Sequence, residues 1–594
     1  SNSLTDRRGH LVESSAMDVT AILDPLNSAQ RDAVSSQAKH LLVLAGAGSG
    51  KTRVLVHRIA WLTQVEQISP YSLLAVTFTN KAAREMRARI EDLLGYSGQG
   101  MWVGTFHGIA HRLLKMHWQQ AGLPENFQIL DSDDQLRLVK RVYQTLGIDD
   151  SRWPYRQAQG FINAQKDEGL RARHLQPAQD PYQRTMQQIY TAYEEACERG
   201  GMVDFGELLL RAHELWLQQP ELLQHYQQRF RHVLVDEFQD TNAIQYAWLR
   251  MLAGDQVPLM AVGDDDQSIY GWRGAKVENI LNFSRDYPDT QTVRLEQNYR
   301  SSKNILDAAN AVISRNVDRL GKNLWTDDPD GEPIALYAAF NEHDEARFIA
   351  DRLQDWTSQG NLREEAAILY RSNAQSRVLE EALLRAGIPY RIYGGQKFYE
   401  RQEIRNALAY LRLLVNRNDD AAFERVVNTP TRGIGDKTVQ GLRELARDEG
   451  MSLWRAAQKA VDESLLPGRA SNAVAGFLAL IDELEEGVVE LPLAEIADHV
   501  IARSGLIDFH RREKGDRGES RVENLQELIT ACRGFEPEDK ALSALPQFLD
   551  QAALDAGDRQ ADAGADAVQL MTLHSAKGLE FPLVILAGME ENLF

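Results

Sequence analysis

The sequence predicts an α/β protein with two parallel-sheet cores, each interrupted by a mainly helical insertion. Short, largely uninterrupted apolar runs recur in two sets, most of them ending in a polar or glycine-rich signature, as parallel strands buried on both faces do. Long stretches of helical character separate the members of each set. The length of 594 residues is too great for a single core, and at ~150 residues per unit it fits about four structural units.

In chain order, residues 1–16 are polar, lack clear periodicity and precede Met17, so they read as a leader. The first core is expected over 17–105 and 231–296, with strands Leu41–Leu44, Leu73–Phe78, His232–Val235 and Leu259–Val262. Its insertion, 106–230, reads as helices such as Ser132–Leu146 and Gln183–Arg199. The first of these has Ser132 as its N-cap and Gly147 as its stop. The second core is expected over 297–393 and 566–594, with strands Ile334–Leu336, Ala366–Tyr370, Val568–Thr572 and Val584–Leu586. It is expected to be incomplete at the C-terminus. Its insertion, 394–565, is helical, with turns such as Thr431–Asp436. In open α/β sheets, ligands collect at the carboxyl ends of the strands, where the polar signatures fall.

Composition removes several function classes. With 43% hydrophobic and 26% charged residues the chain is ordinary for a globular protein. No run approaches the ~18 apolar residues of a membrane span. Two cysteines, Cys197 and Cys532, exclude a disulfide framework and a cysteine-rich zinc module. A reducing, cytoplasmic setting is the default expectation. The net charge of −20 argues at first sight against a nucleic-acid partner.

The strongest motif follows the first strand: Ala45, Gly46, Ala47, Gly48, Ser49, Gly50, Lys51 and Thr52, with Arg53 next on the helix. Alternating glycines leave backbone amides open to phosphate, Lys51 can reach the β and γ phosphates, and Thr52 can ligate Mg2+. Ala45 stands where glycine is usual. A second buried strand ends in Asp236-Glu237, about 185 residues later. One carboxylate can enter the magnesium shell and the other can orient an attacking water. Together they imply metal-assisted hydrolysis of a nucleoside triphosphate, with Mg2+ as the metal.

Many phosphate-loop proteins share those motifs. The further signatures Asp236-Glu-Phe-Gln-Asp240, Gly263-Asp-Asp-Asp-Gln-Ser-Ile-Tyr-Gly-Trp-Arg-Gly274 and Gln297-Asn-Tyr-Arg300 resemble those of the superfamily-one DNA helicases of the UvrD, Rep and PcrA type. The resemblance runs from Met17 to Phe594 and implies two RecA-like cores with ATP in the cleft between them, closing on binding and opening on hydrolysis. It implies that Gln30 reads the adenine edge, Tyr299 stacks on its face and Glu580 contacts the ribose. Gln267 would sense the γ phosphate, and Arg300, arriving from the second core, would neutralise transferred charge.

A motor on single-stranded DNA needs aromatic faces for bases and donors for phosphates. Phe78, Thr79 and Asn80, together with His107, occupy strand-to-helix transitions, and Tyr270, Trp272 and Arg273 follow Gln267 closely. In the family, residues matching Phe78, His107, Phe205, Trp272 and Arg371 line the strand's path, and His574 belongs to the same set. Gly433 and Gly435 resemble a glycine-rich hairpin that grips duplex backbone. The acidity is also local: residues 480–566 hold 21 acids and 9 bases, whereas Lys81–Lys115 holds 6 bases against 3 acids and Arg371–Arg405 holds 7 against 4. Bulk acidity then describes a solvated outer face, and the two basic stretches are expected to face the DNA.

The leading expectation is an ATP-dependent 3′-to-5′ DNA helicase of nucleotide-excision and mismatch repair. It would act on single strands and single-strand/duplex junctions as a monomer or weak dimer, with repair-complex proteins as partners and no membrane association. The sequence stops at Phe594, before a further arginine motif of the family, which suggests truncation and poor hydrolysis. The alternatives are an ATP-gated DNA-binding fragment with little turnover and a replication helicase of the Rep or PcrA type.

Overall fold

A computed structural model describes residues 20–513, 516–557 and 564–594; the leader expected at 1–16 lies outside them. The chain forms two units: the described part of Ser1–Leu146 with Ala158–Ala335, and Gly147–Gln157 with Leu336–Phe594.

The first unit is built on strands β1 (His40–Ala45), β2 (Leu73–Thr77) and β3 (Trp102–Thr105), and on a small parallel pair, β4 (Gln128–Leu130) and β5 (Met202–Asp204). It continues with β6 (His232–Val235), β7 (Leu259–Gly263) and β8 (Thr290–Leu295). Six strands form one sheet in the order β3-β2-β6-β7-β1-β8, and every pair is parallel. Successive residues of the central strands feed opposite cores: Leu42, Leu44, Val233 and Val235 pack on one face, and Leu41, Val43, Leu234 and Val262 on the other. Burial of both faces explains the unbroken apolar runs, each buried side chain contributing ~1.5–3 kcal/mol. The apolar runs leave out β3 and β8, the sheet edges, although the strand-to-helix transition expected at His107 points to β3. β3 is four residues long, and β8 alternates polar with apolar residues because only one of its faces is covered.

The insertion of this unit includes helices Ser132–Leu146, Pro181–Gly200 and Phe205–Gln218. Ser132 is the first helical residue and not the cap; the Asp134 N–H donates to Asp131 Oδ1 (2.8 Å), so Asp131 caps the helix. The interior of this insertion sets an ionic cluster among apolar side chains such as Val139, Ile162, Met186 and Ile189. Lys166 is 1% exposed, with its ammonium 2.8 Å from Asp204 and 3.0 Å from Glu207. Arg171 pairs with Glu194, Glu207 and Glu214.

The second unit has a parallel sheet of β9 (Ala366–Tyr370), β10 (Tyr390–Ile392), β11 (Val568–Thr572) and β12 (Leu583–Leu586), in the order β10-β11-β9-β12. The run Ile334–Leu336 is not a strand. Its residues are exposed, Leu336 at 93%, because no described strand offers it a ladder to join. Helices from Gln402–Val415 to Ala544–Gly557 enclose one large apolar core that includes Phe423, Trp454, Phe477, Ile481, Leu525 and Leu528.

A core boundary was expected at Gln297, whereas residues 297–335 group with the first unit. Local bonding gives the reason. Asn298 N–H donates to the Trp325 carbonyl (2.7 Å), and Trp325 N–H to that of Glu296 (3.0 Å), which continues the β8 edge.

Candidate functional site

β1 delivers the chain into the phosphate loop and the helix Lys51–Gln64 carries it away. Gly48 and Gly50 hold φ of +65° and +79°, the left-handed region that glycine enters without strain. Space at Gly48 is equally restrictive: a Cβ there would lie 2.8 Å from Asn298 Nδ2 and 2.9 Å from Arg300 Cβ. Asn298 is buried and clamps the loop. Its Nδ2 donates to the Ala47 carbonyl (2.5 Å), and its Oδ1 accepts from the Arg300 N–H (2.8 Å). Tyr299 N–H donates to the Gly48 carbonyl (3.0 Å). Arg300, expected from the second core, therefore stands beside the phosphate loop on a segment of the first unit. Asn298 was missed as a site residue although it sits inside the Gln297–Arg300 motif.

Gln30 reaches the loop from the other side. Its Nε2 donates to the Ser49 carbonyl (3.0 Å), and its Oε1 accepts from the Asn27 N–H (3.0 Å) in a capping box. Asn27 Nδ2 donates to the Tyr299 hydroxyl (2.8 Å), so the two residues expected around adenine are joined through Asn27. The tyrosine remains 55% exposed, which leaves a ring face open for stacking.

β6 ends at Val235 and places Asp236 and Glu237 opposite Lys51, whose ammonium is 3.8 Å from Asp236 and ion-paired with Glu237. Burial pushes the Asp236 carboxyl above its ordinary range, and Lys51 opposes that rise. Glu237 holds a left-handed φ of +50°, an uncommon conformation for this residue type. Its Oε2 accepts from Gln239 Nε2 (2.6 Å), and Gln239 Oε1 accepts from the Asp264 N–H (3.0 Å). Gln267 Nε2 donates to Asp264 Oδ2 (2.6 Å). A hydrogen-bonded path thus runs from Glu237 to Gln267. Gln239 and Asp264 were visible in quoted motifs but not singled out.

The three carboxylates Asp264, Asp265 and Asp266 lie together. Their charge is met by cations for which the sequence carried no signal. Lys322 pairs with Asp264 and, at 2.7 Å, with Asp266. Arg319 forms a fork on Asp266, with Nε to Oδ1 at 2.9 Å and Nη2 to Oδ2 at 2.6 Å.

The expected DNA contacts fall into separate groups. Phe78 packs partly into the core and meets Phe106, while Thr79 caps the next helix and Asn80 is exposed. His107 meets Phe205 edge to face at 6.1 Å, and Phe205 is 52% exposed. Arg273 stands over both Tyr270 (4.7 Å) and Trp272 (4.6 Å), fixing an aromatic pair just beyond Gln267. In the second unit Arg371 follows β9, His574 and Glu580 follow β11, and Gly433 and Gly435 lie in a loop before helix Asp436–Glu449. The basic stretch Arg371–Arg405 is not a continuous cationic face. Arg377, Lys397 and Arg401 are buried; Arg377 pairs with Glu381 and Glu527, and Arg401 binds Asn524 and Ser376.

Residues 26–288 match the UvrD/REP helicase N-terminal domain, and residues 293–594 match the UvrD-like helicase C-terminal domain. DNA helicase II of Escherichia coli (strain K12) is 62% identical over 580 residues, covering 97% of this chain and 81% of that protein. DNA helicase II of Haemophilus influenzae is 56% identical, covering 97% and 80%. The ATP-dependent DNA helicase PcrA of Staphylococcus epidermidis is 42% identical, covering 97% and 79%.

Proposed function

The chain belongs to the UvrD/REP helicase family and is an ATP-dependent DNA helicase; we propose that Lys51, Asp236 and Glu237 hydrolyse its ATP while it moves 3′ to 5′ on single-stranded DNA. The observation that carries this reading is the Lys51 ammonium held against Asp236 and Glu237 at the mouth of a loop shaped by Gly48 and Gly50. The loop also contains a buried Ser49 hydroxyl without a hydrogen-bond partner, which suits a phosphate cradle.

In this reading Lys51 exchanges its carboxylate partners for β- and γ-phosphate oxygens. That exchange frees Glu237, still oriented by Gln239, to align and deprotonate the attacking water. Mg2+ would be held by Thr52 and Asp236 and would neutralise phosphate charge. Gln267 senses the γ phosphate, and Arg300 stabilises charge on the transferred group. Gln30 retains a second amide hydrogen for adenine, Tyr299 supplies a stacking face, and Glu580 takes the ribose. Phe78, His107, Phe205, Tyr270, Trp272, Arg273, Arg371 and His574 hold the single strand, and the loop at Gly433 and Gly435 meets duplex backbone. Single-strand/duplex junctions in nucleotide-excision and mismatch repair, in a cytoplasmic setting, are the corresponding substrates.

The test is ATP-driven displacement from duplexes bearing either a 3′ or a 5′ single-stranded tail. Displacement should require the 3′ tail, and Lys51→Ala should lower it by at least ~100-fold while retaining DNA binding. Full unwinding by Lys51→Ala would refute the nucleotide site, and preference for the 5′ tail would refute the polarity.

A further inference from the structure

Lys322 lies on a strap, residues 319–325, that no motif marks. Its side chain is 4% exposed, an unusual position for an ammonium group, and it has carboxylate partners on one side and the phosphate loop on the other. A Cβ placed on Gly46 would lie 2.3 Å from Leu324 Cδ2 and 3.4 Å from Lys322 Cε, so the strap closes over the loop at this glycine. The ammonium binds Asp264 Oδ1 and Asp266 Oδ2. The other oxygen of Asp264, Oδ2, receives the Gln267 amide. Arg319 forks onto Asp266, and the Leu320 N–H donates to Asp265 Oδ2 (2.9 Å), so each of the three acids is held by the strap. The far end is pinned as well, through Trp325 to the Glu296 and Asn298 backbone.

We propose that Lys322, supported by Arg319, is a positioning residue that sets the orientation of Gln267 through the shared Asp264 carboxylate. Three neighbouring carboxylates would repel and rotate if left unpaired. Two cations on a fixed strap hold them in one arrangement, and Asp264 then has one oxygen committed to Lys322 and the other free to aim Gln267. Because the strap leaves no room for a side chain at Gly46, it ties the sensor's aim to the position of the phosphate loop. The proposal rests on the reading of Gln267 as the γ-phosphate sensor.

The experiment compares the full chain with Lys322→Met, Lys322→Arg, Gln267→Ala and the Lys322→Met/Gln267→Ala double variant. ATP hydrolysis is measured with and without oligo-dT, and binding of a fluorescent ATP analogue is measured separately. Lys322→Met should lower DNA-stimulated kcat roughly 10–100-fold, as loss of a supporting partner commonly does, with analogue Kd within about threefold. Lys322→Arg should recover most of the rate. In the Gln267→Ala background the Lys322→Met change should add less than about twofold, since residues acting through one another are not additive. Multiplying effects, or a Lys322→Met enzyme at full rate beside a slow Gln267→Ala enzyme, would overturn the positioning role. A Gln267→Ala enzyme at full rate would instead overturn the sensor reading beneath it. If Lys322→Met does not fold, Arg319→Gln provides the second route: it should lower kcat in the same direction, only in the presence of Gln267, and an unchanged rate would overturn the proposal.

Discussion

The two helical insertions differ in the charge they bury among their apolar side chains. The first adds Lys166, Asp204, Glu207 and Arg171, interlocked among helices, to an apolar interior that includes Val139, Ile162 and Ile189; the second closes on a larger apolar core containing Phe423, Phe477 and Leu528. An apolar core tolerates small shifts of packing, whereas a buried ionic lattice holds directional bonds to specific atoms. Asp204 shows the use of that directionality. It accepts from Lys166, from the Tyr193 hydroxyl (2.6 Å) and from the Glu207 N–H (2.7 Å), and so caps the helix that begins at Phe205. The ionic interior therefore fixes the direction of an exposed aromatic ring proposed to meet DNA.

Breaking one partner in the ionic insertion should have the largest effect. Lys166→Met removes the cation paired with buried Asp204 and should cost roughly 3–5 kcal/mol of local stability, with loss of single-strand affinity. Chemical denaturation and fluorescence anisotropy check it; a variant as stable as the parent would show that the lattice is not what holds this insertion. Leu528→Ala, fully buried in the other insertion, should cost roughly 2–5 kcal/mol by opening a cavity while leaving single-strand affinity intact. A matching loss of affinity would erase the contrast. Acid separates the two more gently. Burial raises Glu207, but Lys166, Arg171 and Arg211 outweigh it and hold its pKa below the ordinary 4.5. Its contribution is complete above pH 4.5 and is lost as pH falls towards the folded-state value. Glu527 in the second insertion is shifted the other way, burial prevailing over Arg377, so protonation relieves it. Hydrogen exchange between pH 5 and pH 3 should show the first insertion opening before the second. The reverse order would refute the assignment.

These contrasts also explain what the sequence revealed. The central strands were legible because burial on both faces forces unbroken apolar runs, and the phosphate loop was legible because positive φ forces glycine at Gly48 and Gly50. The edge strand β8 was not legible, since a one-sided environment admits polar residues, and β3 showed only through the transition at His107. Ile334–Leu336 misled for the converse reason: apolar composition does not make a strand where no neighbour accepts its hydrogen bonds. In the site, Gln30, Tyr299 and Arg300 came from motif resemblance, and the structure brings them around one loop. Lys322 and Arg319 stayed hidden because a cation's value here depends on three acids more than fifty residues away. Lys166 was equally silent, one charged residue among many until its partners enclose it.

The placement of β1 has a consequence for synthesis. Leu41 pairs with Met260 and His40 with Thr290, so both neighbours of the strand that carries the phosphate loop are made 219 and 250 residues after it. At ~5–20 residues per second, that leaves an apolar strand without its ladder for roughly 10–50 s on the ribosome. The helices of the first insertion can form meanwhile from local contacts, but β1 cannot. Sheet order thus has the strand that carries the nucleotide loop translated well before either neighbour that completes its ladder.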